Sequence, residues 1–144
     1  MPCYPSLITD LKFFNPGILL CLDDILIGRD TLLFSIISLH SGKQGSPFLN
    51  PLASPCILQD QIMKQFPKTR FIYCEVDPLA DYTKNFIWRL HANGVDTKAT
   101  FLKGWCHGVL SFDLGTNGVE EAHRSVLKVA EYFKEIFDAK NDPA

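Results

Sequence analysis

The chain has 144 residues, 47% apolar and 21% charged, a composition that excludes a disordered tail or a fibrous repeat and fits one folded domain. Its 14 Lys and Arg stand against 16 Asp and Glu, and the formal net charge of −2 excludes a broad cationic surface for nucleic acid or anionic lipid. Five cysteines (Cys3, Cys21, Cys56, Cys74 and Cys106) form no CxxC pair, so zinc clamping and dithiol exchange are not indicated and a reducing interior is the expected compartment.

Met1 to Pro5 shows no basic leader followed by an apolar core, which reads as the absence of a signal peptide. Tyr4-Pro5 and Asn15-Pro16-Gly17 are turn formers. Ile18 to Leu26 is nearly continuously apolar apart from Asp23-Asp24, and is read as a short strand or helix. The wider stretch from Ile18 to Leu39 contains Asp23, Asp24, Arg29 and Asp30. Each such charge costs about 2.5–3.5 kcal/mol at mid-bilayer, so a spanning helix is not expected. Thr31 to His40 reads as a helix capped by Asp30, and Ser41 to Pro55 as a proline- and glycine-rich loop. A helix from about Cys56 to Gln65 is expected to end before Pro67.

The second half is more sharply patterned. Arg70 to Val76, rich in aromatic and β-branched residues, reads as a largely buried strand that stops at Asp77-Pro78. Asp81 is placed to cap a helix to about Ala92, with Tyr82, Phe86, Ile87 and Leu90 at helical spacing, and Asn93-Gly94 ends it. Thr97 to Leu102 reads as a second strand, followed by the glycine-bracketed loop Gly104-Trp105-Cys106-His107-Gly108. Val119, Ala122, Val126, Val129, Ala130, Phe133 and Phe137 make one apolar stripe on a helix from Asn117 to Asp138, with Asn117 and Glu120 spaced as a capping box.

Strand, helix, strand, helix implies two parallel strands joined by a crossover. Parallel strands normally belong to larger sheets covered on both faces. The expected fold class is therefore α/β with an incomplete sheet: residues 69–140 form the βαβα core and residues 1–68 supply connecting or cap-side loops and helices.

In open α/β sheets the chemistry gathers beyond the carboxyl ends of the strands, and a crossover puts both ends on one edge. Asp77 follows the first strand and His107 the second. An Asp that accepts from imidazole Nδ1 fixes the tautomer and leaves Nε2 as a base toward a serine, in the chain order serine, acid, histidine known from one hydrolase class. Taken singly, Asp77 before Pro78 is also an ordinary turn starter, and His107 an ordinary turn residue. Cys106 as a nucleophile is the weaker reading, because neighbours in an extended loop point apart. His40, His91 and His123 fall on helices or at their ends, away from that edge, and Asp81 is better explained as a helix cap.

Ser46-Pro47-Phe48-Leu49-Asn50-Pro51-Leu52-Ala53-Ser54, Phe66-Pro67, Glu75-Val76-Asp77-Pro78-Leu79-Ala80-Asp81, Arg89-Leu90-His91-Ala92-Asn93-Gly94-Val95 and Trp105-Cys106-His107-Gly108-Val109 occur in that order. Together they resemble the C-terminal part of the hormone-sensitive lipase family, in wording closer to the animal lipases than to the bacterial esterases. The resemblance implies the α/β-hydrolase fold and serine lipase or carboxylesterase activity on acylglycerol or cholesteryl esters. It makes Asp77 the triad acid and His107 the triad base, with no cofactor and no metal. That family's nucleophile sits in a Gly-x-Ser-x-Gly elbow, and its oxyanion loop is of the His-Gly-Gly-Gly type. Both precede the position of Tyr4-Pro5, and no Gly-x-Ser-x-Gly occurs in these 144 residues. The frames around Ser46 and Ser111 lack the required glycines. The chain by itself is thus expected to be inactive, the C-terminal fragment of a cytosolic enzyme whose partner is the missing N-terminal part and which docks, at most peripherally, on lipid droplets. Two alternatives stand beside this: a non-catalytic lipid- or protein-binding module of the same fold, and a two-chain enzyme in which another subunit brings the serine.

Overall fold

The computed structural model describes residues 16–21, 23–40, 50–52 and 54–138. Its centre is a parallel pair of strands, β1 (Thr69–Val76) and β2 (Thr97–Cys106). The pairing runs in step from Thr69↔Thr97 to Cys74↔Leu102, breaks, and resumes at Val76↔Cys106. At the break β2 carries extra residues around Gly104, whose φ of +75° is a left-handed conformation that favours glycine. The Glu75 carboxylate accepts the Gly104 N–H at 2.7 Å and holds the bulge closed. Bulges of this kind re-aim the residues that follow them.

Between the strands runs a helix of 13 residues, Ala80–Ala92, and after β2 comes a helix of 19 residues, Glu120–Asp138. In chain order these are α4 and α5, after α1 (Pro16–Leu20), α2 (Arg29–His40) and α3 (Asp60–Met63). The two long helices cover opposite faces of the strand pair. Phe71 packs with Leu79, Tyr82, Phe86 and Leu90 of the α4 side, joined by Ile18, Leu32 and Met63 from the first half of the chain. Ile72 and Cys74, pointing the other way by the period of two, pack with Leu102, Val109, Ala122 and Tyr132 on the α5 side. The result is a three-layer α/β/α core built on two parallel strands, the incomplete α/β sheet that the strand–helix pattern implied.

Several boundaries differ from expectation, each for a local reason. The ambiguous run from Ile18 resolves as the end of the short helix α1 followed by a turn. Helix α2 starts at Arg29, so Asp30 lies inside its first turn, where its charge still suits the helix dipole. The single helix expected over Cys56–Gln65 is two pieces, a 3₁₀ turn at Pro55–Ile57 and α3. Leu58 and Gln59 between them are extended, with ψ of 140° and 148°. The Arg89 guanidinium explains this: it donates to the carbonyls of Cys56 and Leu58 and to Asp60, and so takes acceptors that a continuous helix would use. Asp81 does not cap α4 but is its second residue; its Oδ2 accepts the Gly17 N–H of α1 at 3.0 Å. The capping box expected at Asn117 is displaced as well, because Asn117 closes a separate 3₁₀ turn and α5 begins at Glu120. Tyr4-Pro5, Asn15 and Ser41 to Leu49 lie outside the described residues.

Candidate active site

Asp77 is the first residue beyond β1 and His107 the first beyond β2. Parallel pairing places both at the same edge, and His107 Nδ1 lies 3.0 Å from Asp77 Oδ2. Asp77 is 1% exposed; its other oxygen, Oδ1, accepts the Leu79 N–H at 2.8 Å, which turns the chain into α4. One carboxylate thus starts the crossover helix and orients the imidazole. The His107 side chain is 14% exposed, so its ring sits at the rim of the core rather than inside it. The two residues singled out in the sequence, 30 apart, are brought together.

The loop that carries His107 is shaped by glycine at Gly108, with φ +75°, which leads into a 3₁₀ turn at Val109–Phe112. Leu26 from the α1–α2 turn closes over that glycine: a Cβ there would lie 2.6 Å from Leu26 Cδ1. Beside Leu26 stands a group that sequence reasoning treated only as an obstacle to membrane insertion. Asp24 is buried, and its Oδ2 accepts the His107 backbone N–H at 3.3 Å. Nothing local in the sequence pairs these residues, which are 83 positions apart.

Three cysteines surround the pair, and their environment argues against a thiol nucleophile. Burial pushes the Cys106 thiol up first, and the charges of Asp24 and Asp77 add to the effect. Cys21 is raised by the same causes, and burial carries Cys74 to about 12. A nucleophilic cysteine needs the opposite, a lowered value and a stabilised thiolate. Ser111 is exposed within the 3₁₀ turn, and Ser46 lies outside the described residues. Among the other histidines, His91 lies in the last turn of α4, and His123 on α5 meets Asp113 at 3.3 Å on the surface with 58% of its side chain exposed. Only the backbone of His40, at the end of α2, is described. Among the described residues no group of three His, Cys, Asp or Glu side chains could hold a metal ion, and no helix is long and apolar enough to cross a membrane.

Comparison with known proteins agrees with this architecture. Two curated relatives match 61% of the chain: rabbit (Oryctolagus cuniculus) arylacetamide deacetylase at 30% identity over 88 residues and mouse (Mus musculus) arylacetamide deacetylase-like 3 at 38% over 89. The match spans only 21% and 22% of those proteins, about a fifth of their length. Among solved structures, carboxyl esterase 2 of Tuber melanosporum superposes with a TM-score of 0.80 at 23% identity, covering 93% of this chain and 43% of that one. An esterase of Pyrobaculum calidifontis gives 0.78 at 21% identity, covering 92% and 41%. At these identities the structural likeness speaks for the fold alone. A family model described as alpha/beta hydrolase fold matches residues 17–111, well over half of the sequence. The chain belongs to the α/β-hydrolase fold family.

Proposed function

We propose that this chain carries the acid and the base of a serine ester hydrolase of hormone-sensitive lipase type, with Asp77 as acid and His107 as base. The observation that supports it most is the 3.0 Å contact between Asp77 Oδ2 and His107 Nδ1 at the carboxyl ends of two parallel strands. With Nδ1–H donated to a buried carboxylate, Nε2 is the basic nitrogen. It takes the proton of a serine hydroxyl as that oxygen attacks the acyl carbonyl, and returns it to the departing alcohol. Water then repeats the sequence on the acyl-serine, with the same nitrogen accepting its proton. Asp77 holds the ring in the productive tautomer and stabilises the imidazolium at each stage.

The serine and the oxyanion donors come from a segment outside these 144 residues. Exposed apolar side chains on the first half support a packing partner of that kind: Leu20 is 85% exposed, Ile25 84% and Phe34 73%. Lipid acyl esters, as acylglycerol or cholesteryl esters, are the proposed substrates, acted on in the cytosol or at a lipid-droplet surface. The names of the two curated relatives put aryl acetamides beside them, and both require the same acyl transfer.

The test is hydrolysis of nitrophenyl esters and an aryl acetamide by the chain alone and by a version extended upstream. Activity only in the extended protein, abolished by His107→Ala, is expected. Activity in the short chain that survives His107→Ala overturns the assignment.

A further inference from the structure

The Asp24 carboxylate is engaged on both sides. Its Oδ1 accepts the N–H groups of Leu26 at 2.9 Å and Ile27 at 2.7 Å, and its Oδ2 accepts the backbone N–H of His107 at 3.3 Å. The turn that bears it is itself held: Ile18 and Leu32 on either side belong to the α4-side core, and Gly17 donates to Asp81. The histidine loop is anchored on its far side by Val109, buried in the α5-side core. Its strand has just passed through a bulge, and the ladder ends at Val76↔Cys106, one residue before His107.

We propose that Asp24 is a positioning residue for the Asp77–His107 pair, pinning the backbone of His107 to the α1–α2 turn so that the imidazole stays on Asp77. This rests on the acid–base reading of that pair and adds to it a residue from a separate element. Three N–H donors converge on two oxygens, so the site requires an acceptor on both sides, which among side chains of this size only a carboxylate supplies. Asparagine offers one carbonyl oxygen and one NH₂, and would turn a donor toward either the turn amides or the His107 amide. A catalytic group must be held within about 0.5 Å of its productive place, and a hydrogen bond to its own main chain acts at the point where the side chain originates. Leu26 adds a steric stop over Gly108, so one turn holds the loop by a charge and by a contact.

The experiment is histidine-resolved ¹⁵N NMR of the 144-residue chain, with amide exchange, on the unmodified protein, Asp24→Asn and the control Asp23→Asn. In the unmodified chain the His107 ring shows an Nδ1–H and its backbone amide is protected. In Asp24→Asn the His107 amide exchanges about tenfold faster or more, the scale of losing a hydrogen bond to a charged acceptor. The ring signals shift toward the other tautomer, and the strand amides of Phe71 and Leu102 do not change. Asp23→Asn, on an exposed residue, leaves all of these where they were.

An unchanged ring and an unchanged His107 amide in Asp24→Asn overturn the proposal. Faster exchange at Phe71 and Leu102 to the same degree also overturns it, because Asp24 is then a general stabiliser. If Asp24→Asn does not fold, the unmodified chain decides: an unprotected His107 amide refutes the tether and a protected one upholds it. Absence of the Nδ1–H in the unmodified chain is a separate result, and it removes the acid–base reading itself.

Discussion

Strand β1 carries a buried ionisable side chain at its start, Arg70, and the crossover beyond its end another, Asp77, each 1% exposed, and the two are partnered in opposite ways. Arg70 donates to both oxygens of Asp96, to Glu135 of α5 and to the carbonyls of Thr69 and Asp96. All of these charges are permanent near neutral pH. Asp77 instead divides its oxygens between one backbone amide and one imidazole. Imidazole is the one side chain whose ordinary titration falls near neutrality. The amino end of the sheet is therefore a clamp between β1 and α5, and the carboxyl end is a place where a proton can be held and released. Burial of charge alone does not distinguish structure from chemistry; the partner does.

The comparison breaks if the two ends respond alike to mutation. The largest effect is expected at the carboxyl end. In the upstream-extended protein, Asp77→Asn lowers kcat for a nitrophenyl ester by about 10⁴ with KM little changed, because the ring then rests in the wrong tautomer. Steady-state kinetics measure this, and a fall of less than tenfold removes Asp77 from the catalytic role.

At the amino end, Arg70→Met lowers unfolding stability by about 1–3 kcal/mol in urea titrations and leaves kcat of the extended protein unchanged. The loss stays below that of breaking a fully buried ion pair, since Asp96 and Glu135 are 47% and 36% exposed and rehydrate. A loss of activity at constant stability would mean that the two ends are not separate.

Gly108→Ala sharpens the contrast within the carboxyl end. The φ of +75° costs an L-residue about 1–2 kcal/mol, while the clash falls on the movable tip of Leu26. Thermal unfolding of this variant should show the loss without collapse of the fold.

The smallest effect is a pH dependence. Hydrogen bonds from Arg70 and then Lys98 hold Glu135 down at about 2, against an ordinary 4.5. A depressed folded-state value means the contribution is complete above pH 4.5 and is lost as the pH falls toward 2. Glu135→Gln should lower stability at pH 7, where the contribution is complete, and flatten the acid limb in that window, so that the variant and the unmodified protein converge as the pH falls toward 2.

The elements that repeat a period were legible from residues alone. The aromatic and β-branched run of β1 and the stripe of α4 each announce an element and its buried face, and with them the shared edge on which Asp77 and His107 meet. The stripe of α5 announces the helix but not its buried face: Ala122 is buried, whereas Val119, Ala130, Phe133 and Phe137 are exposed and Ser125 and Tyr132 turn inward instead. What was not legible depends on contacts far apart in sequence. The extension of β2 through Gly104 to Cys106 needs a left-handed glycine and the Glu75 carboxylate, 29 residues away. The break between Leu58 and Gln59 is imposed by Arg89, more than 30 residues on. Asp24 was visible only as a charge in an apolar run, because its partner lies on the last loop before α5.

The central claim, that this acid–base pair serves a serine outside the chain, is tested most directly by fluorophosphonate labelling of the upstream-extended protein with peptide mapping of the adduct. The account predicts one labelled serine, preceding Met1, and its loss in His107→Ala. An adduct within the 144 residues, or labelling undiminished by His107→Ala, would contradict it.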